Sequence, residues 1–248
     1  MNIRSFRTVL YLARYLSTSQ PKRRKLQKLA QTDPDLSFNQ ASESLKGMCR
    51  HLLTIAGTDL TVHGLENIPE EPVLFVGNHS SYFDIVVTMA SLPRGSGFVA
   101  KDSIGKIPGF KGWMDLIHCL YLDRSDLKKG VQMIKDGIGI IQSGYSMTVY
   151  PEGTRSKTGQ LADFKGGALK MAQRSGAPIV LVACTGTRDI YENNSRLNIM
   201  PAKVQLTFDK PFRIEDLPKE ERRFAARYAK DRLQQLLDEQ KAAADSIK

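Results

Sequence analysis

At 248 residues, with 41% hydrophobic and 25% charged residues, the sequence has ordinary globular composition and enough length for one core with an extension. The formal net charge of +10 favours an anionic partner, but charge alone cannot distinguish nucleic acid, a phospholipid surface and a phosphorylated substrate. Three cysteines without a C-x-x-C pair exclude a disulfide framework and a zinc knuckle, and predict reduced core thiols. No run of about 18 uncharged apolar residues occurs, which excludes a membrane-spanning helix.

Residues 4–17 have a helical pattern with an apolar side and a basic side. The apolar side carries Phe6, Leu10, Ala13 and Leu16, and the basic side carries Arg4, Arg7 and Arg14. A further basic cluster follows at residues 22–25, and anionic lipid strengthens binding by roughly 1 kcal/mol for each such charge close to its surface. The arrangement is typical of an interfacial helix. The alternative is an amphipathic helix docked on its own domain beside a solvated charge run.

A second helix is predicted from Ser37 as its N-cap to Gly57 at its end, with an apolar stripe along it. We expect this stripe to pack on the main domain, and a helical hairpin partly immersed in lipid is the alternative. Residues 1–57 are therefore predicted to form a two-helix membrane-associating segment, and residues 58–248 a separate domain.

From residue 58 onward, short β-rich runs alternate with helical segments. The predicted strands are 60–63, 73–76, 97–100, 119–122, 147–150, 179–183 and 204–208, and the predicted helices lie near 83–92, 126–143, 165–175 and 219–241. Several strands are apolar on both faces, as buried strands are. The alternation predicts an α/β fold with a mostly parallel central sheet flanked by helices.

The string at residues 78–84, NHSSYFD, follows one of these strands. Ligands of open α/β sheets bind at the carboxyl ends of strands, so His79 would project where a ligand lies. His79 could take the proton of an alcohol as it attacks a carbonyl, and Asp84 could orient the imidazole and stabilise its charged form. Alternatively, Ser81 and Asp84 form a capping box without catalytic duty. The two roles are compatible, since a capped helix start would fix the carboxylate near the imidazole.

The string at residues 150–156, YPEGTRS, follows another strand and makes a turn through Pro151 and Gly153. Arg155 on such a turn is suited to a forked contact with phosphate. Glu152 could accept a hydrogen bond from a substrate hydroxyl or hold Arg155 in place. The alternative is a surface turn with an ordinary ion pair.

Two further cations, Lys101 and Arg124, stand at the ends of other predicted strands. Each is a solvated charge if judged alone, but three cations at three strand ends favour a shared phosphate site. The sequence has no G-x-S-x-G elbow, so direct transfer is preferred to a covalent acyl-enzyme. It also lacks H-E-x-x-H and G-x-x-x-x-G-K-[ST], and we expect neither a metal nor a cofactor.

Together these motifs resemble those of the glycerolipid acyltransferase family, in particular its bacterial members that acylate 1-acyl-sn-glycerol-3-phosphate. Residues 78–84 match the Asn-His-x4-Asp motif, residues 122–124 the end of the second motif, residues 150–156 the third and residues 177–182 the fourth. The resemblance implies transfer of a fatty acyl group from acyl carrier protein or coenzyme A to the sn-2 hydroxyl of lysophosphatidate, which gives phosphatidic acid. It also implies a peripheral protein at the cytoplasmic face of the cell membrane, bound to anionic lipid and not to nucleic acid.

Carried over residue by residue, the resemblance implies that His79 is the base and Asp84 its partner. The implied glycerol phosphate ligands are Arg124, Glu152, Gly153 and Arg155, with Lys101 as a helper. Three positions depart from the family pattern: His118 replaces a glycine, Tyr150 a phenylalanine and Leu181 a proline. The first could reshape the acceptor pocket. A related enzyme acting on glycerol phosphate or another lysolipid, and more distantly a non-catalytic anionic-lipid-binding protein, remain as alternatives.

Overall fold

A computed structural model describes residues 1–123, 126–195 and 197–245, and its strands form one sheet. The strands are β1 (Asp59–His63), β2 (Leu74–Gly77), β3 (Ser96–Lys101), β4 (Leu120–Leu122), β5 (Ser146–Val149), β6 (Ile179–Thr185) and β7 (Lys203–Phe208). Their order across the sheet is β1-β7-β6-β2-β5-β3-β4. The five strands from β6 to β4 are mutually parallel, whereas β7 is antiparallel to β6 and parallel to β1. The predicted α/β fold with a mostly parallel sheet is confirmed, and each predicted strand is present.

Helices cover both faces of this sheet. They are α1 (Ile3–Thr18), α2 (Gln20–Leu29), α3 (Pro34–Ala56), α4 (Phe83–Ser91), α5 (Lys111–Leu116), α6 (Leu127–Gln142), α7 (Lys170–Ser175), α8 (Thr187–Ile190), α9 (Lys219–Arg222) and α10 (Ala225–Asp245). Short 3₁₀ helices lie at Leu65–Asn67, Asp102–Lys106 and Ile214–Asp216. The predicted helix at 165–175 is shorter than expected, and the one at 219–241 is divided into α9 and α10.

Side-chain alternation along β2 shows how the two layers form. Phe75 is buried in a core with residues of α2 to α5, whereas Leu74 and Val76 are buried in a second core with residues of α6, α7 and α10. Successive strand residues point to opposite faces, so a strand covered on both sides must be apolar at every position. This is why β2 and residues 179–184 of β6 have uninterrupted apolar sequences. The three cysteines are free and buried.

The N-terminal segment contains three helices, so the two-helix prediction is wrong. The predicted basic cluster lies on α2, and α3 begins at Pro34 rather than after Ser37. Asp33 is the N-cap of α3 and accepts a hydrogen bond from Leu36 N at 2.9 Å, with proline in the first turn, where its missing N–H has no cost. Ser37 lies inside the helix and donates to Leu26 O at 2.8 Å.

The predicted end of α3 at Gly57 is confirmed, with a left-handed φ of 75° that glycine adopts readily. The apolar stripe of α3 is buried in the same core as Phe75, so its predicted packing on the main domain is also confirmed. A division of the chain at residue 57 stays a prediction.

Helix α1 docks through a mixed side, on which Tyr11, Leu12, Tyr15 and Leu16 are partly buried against the core. Ser5 and Thr8 are buried, while Phe6, Val9 and Leu10 are 50%, 59% and 56% exposed. Asn2 fixes the start of the helix, since its Oδ1 accepts from Ser5 N at 3.0 Å and its Nδ2 donates to Ile199 O at 2.7 Å. Of the predicted apolar side of α1, Phe6, Leu10 and Ala13 face solvent, whereas Leu16 is partly buried against the core. Within the described ranges, none of the helices combines the length and apolarity needed to cross a bilayer.

Candidate functional site

The predicted site residues collect at one edge of the sheet. The strands β2, β5, β3 and β4 are parallel neighbours, so the segments that follow them emerge side by side, about 4.8 Å apart per strand. His79 lies just beyond β2, Glu152 to Arg155 lie beyond β5, and Lys101 ends β3. Arg124 falls outside the described residues. The sequence motifs separated by about seventy residues are thus adjacent in space.

His79 and Asp84 form a close pair at the start of α4. Nδ1 of His79 lies 3.0 Å from Oδ2 of Asp84, and the carboxylate is fully buried while the imidazole is 15% exposed. The same oxygen accepts from Ser80 N at 2.7 Å and Ser81 N at 2.8 Å. Oδ1 accepts from the hydroxyl of Thr187 at 2.6 Å. These contacts fix the carboxylate, and hence the plane and rotamer of the imidazole.

The capping interpretation of Asp84 holds alongside the pairing interpretation. Asp84 accepts from the backbone N–H of Ser81, and the Ser81 hydroxyl accepts from Phe83 N at 3.0 Å. The N-terminal turn of α4 is therefore closed by the two side chains that a capping box would use, although the hydroxyl bonds to Phe83 rather than to Asp84. One carboxylate both closes the helix start and holds the imidazole.

Glu152 joins the two sequence strings. Its Oε1 accepts from the backbone N–H of His79 at 2.6 Å, and its Oε2 accepts from Ala162 N at 3.0 Å. The side chain is almost fully buried, and burial raises the pKa of its carboxyl, with the two backbone N–H groups acting in the opposite direction. The suggestion that Glu152 holds Arg155 is wrong, because the ion pair of Arg155 is with Glu192.

Arg155 is held on two sides. Its Nη1 donates to Glu192 Oε1 at 3.0 Å, and its Cζ lies 3.5 Å from the centroid of the Tyr82 ring. The Arg155 side chain is 33% exposed. The guanidinium is therefore positioned at the rim of the site, one residue beyond the strand-following turn that contains Gly153.

Gly153 has a left-handed φ of 73°, which lets the chain reverse between Pro151 and Arg155. A Cβ atom at this position would lie 3.0 Å from Nζ of Lys165. The ammonium of Lys165, which the sequence did not single out, therefore lies over the turn. Lys101 is exposed at the end of β3, with no side-chain ion pair within the described part of the chain.

Tyr150 packs directly on the imidazole. The rings of His79 and Tyr150 are stacked at 4.5 Å between centroids with an interplanar angle of 23°. The hydroxyl of Tyr150 lies 3.4 Å from Thr88 Oγ1, and burial, with the nearby Asp84 charge, raises its pKa. The tyrosine found in place of phenylalanine thus keeps the aromatic face against His79 and places its hydroxyl inside, on α4.

Three residues beyond β6 complete the site and were missed by the sequence motifs. Thr187 bonds to Asp84, and Glu192 contacts Arg155, Ser81 and Tyr82. Arg188 Nη1 donates to Ser156 O at 2.8 Å and Ser80 O at 3.5 Å, so it ties the two strings together. The sequence could have indicated Thr187 and Arg188, because polar residues that directly follow a predicted parallel strand lie at the same sheet edge as His79.

His118 does not lie at this edge. It precedes β4 and has a left-handed φ of 56°, which accounts for the preference for glycine in that motif. Its ring stacks on Phe38 at 5.2 Å and contacts Tyr145, which precedes β5 at the same amino edge. The carboxyl end of β4 is four residues further on, roughly 13 Å away. His118 therefore does not reshape a pocket around His79.

A cavity of about 950 Å³ opens between α10 and the loop at residues 159–161. Its lining includes Asn78 and Ser80, which flank His79, but not His79, Asp84 or Arg155. The cavity thus lies on the α10 side of the strand ends, and the His79–Asp84 pair lies on the α4 side. In the described residues, no three His, Cys, Asp or Glu side chains are grouped as a metal site.

The chain matches a family model described as Acyltransferase over residues 59–185, about half of its length. The chain belongs to the acyltransferase family. The match includes the His79–Asp84 pair, the turn with Arg155, and the sheet from β1 to β6.

Curated acyltransferases match at moderate identity. A 1-acyl-sn-glycerol-3-phosphate acyltransferase of Cocos nucifera is 32% identical over 172 residues, which cover 69% of this chain and 55% of that protein. The 1-acyl-sn-glycerol-3-phosphate acyltransferase of Saccharomyces cerevisiae is 36% identical over 135 residues, 53% of this chain and 44% of that protein. The chain thus spans about half the length of these relatives.

The fold is shared with a solved acyltransferase over nearly the full chain. The crystal structure of the 1-acyl-sn-glycerophosphate (LPA) acyltransferase PlsC from Thermotoga maritima aligns with a TM-score of 0.76, covering 96% of this chain and 97% of that one. The sequences are 22% identical, so this likeness establishes the acyltransferase fold.

Proposed function

We propose that this acyltransferase transfers a fatty acyl group from an acyl thioester to the sn-2 hydroxyl of 1-acyl-sn-glycerol-3-phosphate, giving phosphatidic acid for phospholipid biosynthesis. The observation that carries the proposal is that the His79–Asp84 pair and the Arg155 guanidinium lie beyond the ends of the neighbouring parallel strands β2 and β5, where they could serve as a base and a phosphate ligand. The curated relatives are named as 1-acyl-sn-glycerol-3-phosphate acyltransferases, which supports the same acceptor.

His79 is the general base. With Nδ1–H donated to the buried Asp84 carboxylate, the lone pair of the imidazole lies on Nε2, the nitrogen that faces away from Asp84. The sn-2 hydroxyl gives its proton to Nε2 as its oxygen attacks the thioester carbonyl. Asp84 stabilises the imidazolium that forms, and such base catalysis contributes about 10²- to 10⁴-fold.

The tetrahedral adduct collapses by breaking the carbon–sulfur bond. The leaving thiolate takes the proton back from His79 Nε2, so the enzyme returns to its starting protonation state with ester and free thiol as products. No serine nucleophile is needed, and the alcohol attacks directly. The stack of Tyr150 against the ring limits imidazole rotation between the two proton transfers.

The acceptor phosphate is bound by cations at the same edge. Arg155 offers a planar fork for two phosphate oxygens, which suits recognition of a phosphomonoester. Lys101 and Arg124 supply further charge from β3 and the segment after β4. Gly153 lets the turn approach the glycerol phosphate closely, and Glu152, whose two oxygens accept from His79 N and Ala162 N, orients the turn.

The donor is acyl carrier protein or coenzyme A, both of which carry soluble thioesters. The lipid acceptor is reached at a membrane surface, and we propose that α1 binds anionic lipid with its exposed apolar side. Phe6 and Leu10 would enter the interface, while Arg7 and the basic residues of α2 contact phosphates. The protein would act as a peripheral enzyme at the cytoplasmic face of the cell membrane, without nucleic acid.

The test is product identification with purified protein, radiolabelled acyl donor and a panel of acceptors. Phosphatidic acid formed from lysophosphatidate, faster than product from glycerol phosphate or other lysolipids, is the expected result. A faster reaction with another acceptor would replace the proposed substrate within the same reaction class. Binding of anionic lipid without acyl transfer, or full activity of His79→Ala, would overturn the catalytic proposal.

A further inference from the structure

Glu192 lies in the loop beyond α8, outside the sequence motifs and more than a hundred residues from the start of α4. Its carboxylate makes three hydrogen bonds at the site. Oε1 accepts from Arg155 Nη1 at 3.0 Å and from the backbone N–H of Tyr82 at 2.9 Å, and Oε2 accepts from the hydroxyl of Ser81 at 2.6 Å. The Glu192 side chain is only 14% exposed.

These contacts restrain the Arg155 guanidinium along one edge and over one face. Glu192 holds one edge of the guanidinium, and the ring of Tyr82 covers one face at 3.5 Å. Tyr82 is itself held, since its backbone N–H donates to the same Glu192 oxygen. Within the described part of the chain, the guanidinium makes no other hydrogen bond, so its remaining N–H groups are available to a ligand. A guanidinium fixed in advance loses less side-chain freedom when it binds an anion.

We propose that Glu192 is a positioning residue for acceptor recognition, which orients Arg155 so that its free N–H groups form a fork on the lysophosphatidate phosphate. This inference rests on the proposed function and names a residue that sets its acceptor specificity. Its role is geometric rather than electrostatic, because the carboxylate charge itself repels the phosphate. A neutral isostere that keeps the hydrogen bonds should therefore preserve recognition.

A purely structural role would have a different signature. Glu192 also contacts Ser81 and Tyr82, which precede the helix that carries Asp84. If these contacts were what mattered, loss of Glu192 would disturb the His79–Asp84 pair and lower kcat for any acceptor. If Glu192 acts through Arg155, its loss raises the KM for the phosphorylated acceptor.

The experiment compares Glu192→Ala, Glu192→Gln, Arg155→Ala and the double variant Arg155→Ala/Glu192→Ala, with steady-state kinetics on lysophosphatidate. Glu192→Ala should raise the KM for lysophosphatidate roughly tenfold, with kcat and the KM for the donor changed by less than about twofold. Glu192→Gln should keep a KM no higher than that of the wild type. The double variant should be no worse than Arg155→Ala by more than about twofold, because both changes remove the same interaction.

Asp189→Ala is the matched control, since it removes an acid of the adjacent helix α8 whose side chain accepts from Asn193 and not from Arg155. Multiplicative effects of Glu192→Ala and Arg155→Ala, or a loss confined to kcat, would overturn the inference. An inactive wild type with lysophosphatidate would instead refute the proposed function, so the two failures are distinguishable.

Discussion

The carboxylate of Glu152 accepts a hydrogen bond of 2.6 Å from the backbone N–H of His79. Its second oxygen accepts from Ala162 N, in the loop that follows the Arg155 turn. Glu152 is thus a buried brace between the segment that carries His79 and the segment that carries Arg155. A carboxylate is needed at this position because the two N–H donors require two acceptor oxygens.

Glu152→Gln should destabilise the protein and slow the reaction. Glutamine has one acceptor oxygen, so its NH₂ group would face the N–H of His79 or Ala162 in a partly buried contact, and an unsatisfied donor costs up to about 1–3 kcal/mol when it is buried. We expect a loss of that size in the free energy of unfolding in urea, and a kcat reduced roughly tenfold as the backbone of His79 loses its anchor. Glu220→Gln, an exposed position, is the control. Unchanged stability would show that the brace is not needed.

Asp84→Asn should lower kcat by about 10²- to 10⁴-fold while the protein stays folded. The amide oxygen can still accept from Ser80 N and Ser81 N, and the hydroxyl of Thr187 can rotate to accept from the amide. What is lost is the negative charge that stabilises the imidazolium. A kcat within threefold of the wild type, equivalent to about 0.7 kcal/mol in activation free energy, would mean that Asp84 only caps α4.

Much of this arrangement could be predicted from local sequence. The strands are apolar runs bounded by turn residues, and a parallel sheet places every strand end with the same direction at one edge. His79 and Asp84 are five residues apart across a helix start, so their contact depends only on local geometry. The sequence therefore predicts those site residues that directly follow a parallel strand.

The rest depends on tertiary contacts without a periodic signal. Glu192 contacts Arg155 from a loop 37 residues away, and no local sequence pattern predicts that contact. The start of α3 was mispredicted because Asp33 and Ser37 are both good N-caps, and only the burial of Ser37 beside Leu26 decides between them. The left-handed backbone at His118 is likewise set by tertiary contacts, since histidine rarely adopts a positive φ by its intrinsic preference.

His118 should make stability depend on pH. Burial lowers the pKa of its imidazole, an effect partly opposed by the Asp35 carboxylate, and its buried Nε2 has no hydrogen-bond partner among the described residues. The folded state therefore binds this proton less readily than the unfolded state, whose pKa is about 6.5. The folded state is therefore most stable, as far as His118 is concerned, above the unfolded pKa. This stability is lost as the pH falls from the unfolded pKa toward the lower folded pKa.

His118→Asn tests this, because asparagine tolerates a left-handed backbone and does not titrate. The free energy of unfolding in urea should fall less for the variant than for the wild type between about pH 7.5 and 5.5. At the higher pH the variant should be less stable by about 0.5–1.5 kcal/mol, since the ring contacts with Phe38 and Tyr145 are lost. Equal pH dependence of the two proteins would contradict the assignment. Acyl transfer should persist, because His118 is at the opposite edge of the sheet from His79.

Membrane binding should depend on the exposed side of α1. Phe6→Gln/Leu10→Gln changes two side chains that are 50% and 56% exposed, so folding should be unaffected, and glutamine is a good helix former. Removing two apolar side chains that would enter lipid should weaken vesicle binding at least tenfold, on the order of 1.5 kcal/mol for each. Co-sedimentation with vesicles containing anionic phospholipid measures the change.

The arginines provide a second, salt-sensitive arm of the same experiment. Arg7 and Arg14 are exposed beside the apolar side, whereas Arg4 donates to Ile55 O and holds α1 against α3. Arg7→Gln/Arg14→Gln should therefore weaken binding to anionic vesicles by about 1 kcal/mol for each charge at low salt, and much less at high salt or on neutral vesicles. Val131→Gln on α6, where Val131 is 56% exposed, controls for loss of surface apolarity. If both α1 variants sediment like Val131→Gln, α1 does not contact the membrane, and the acceptor must reach His79 by another route.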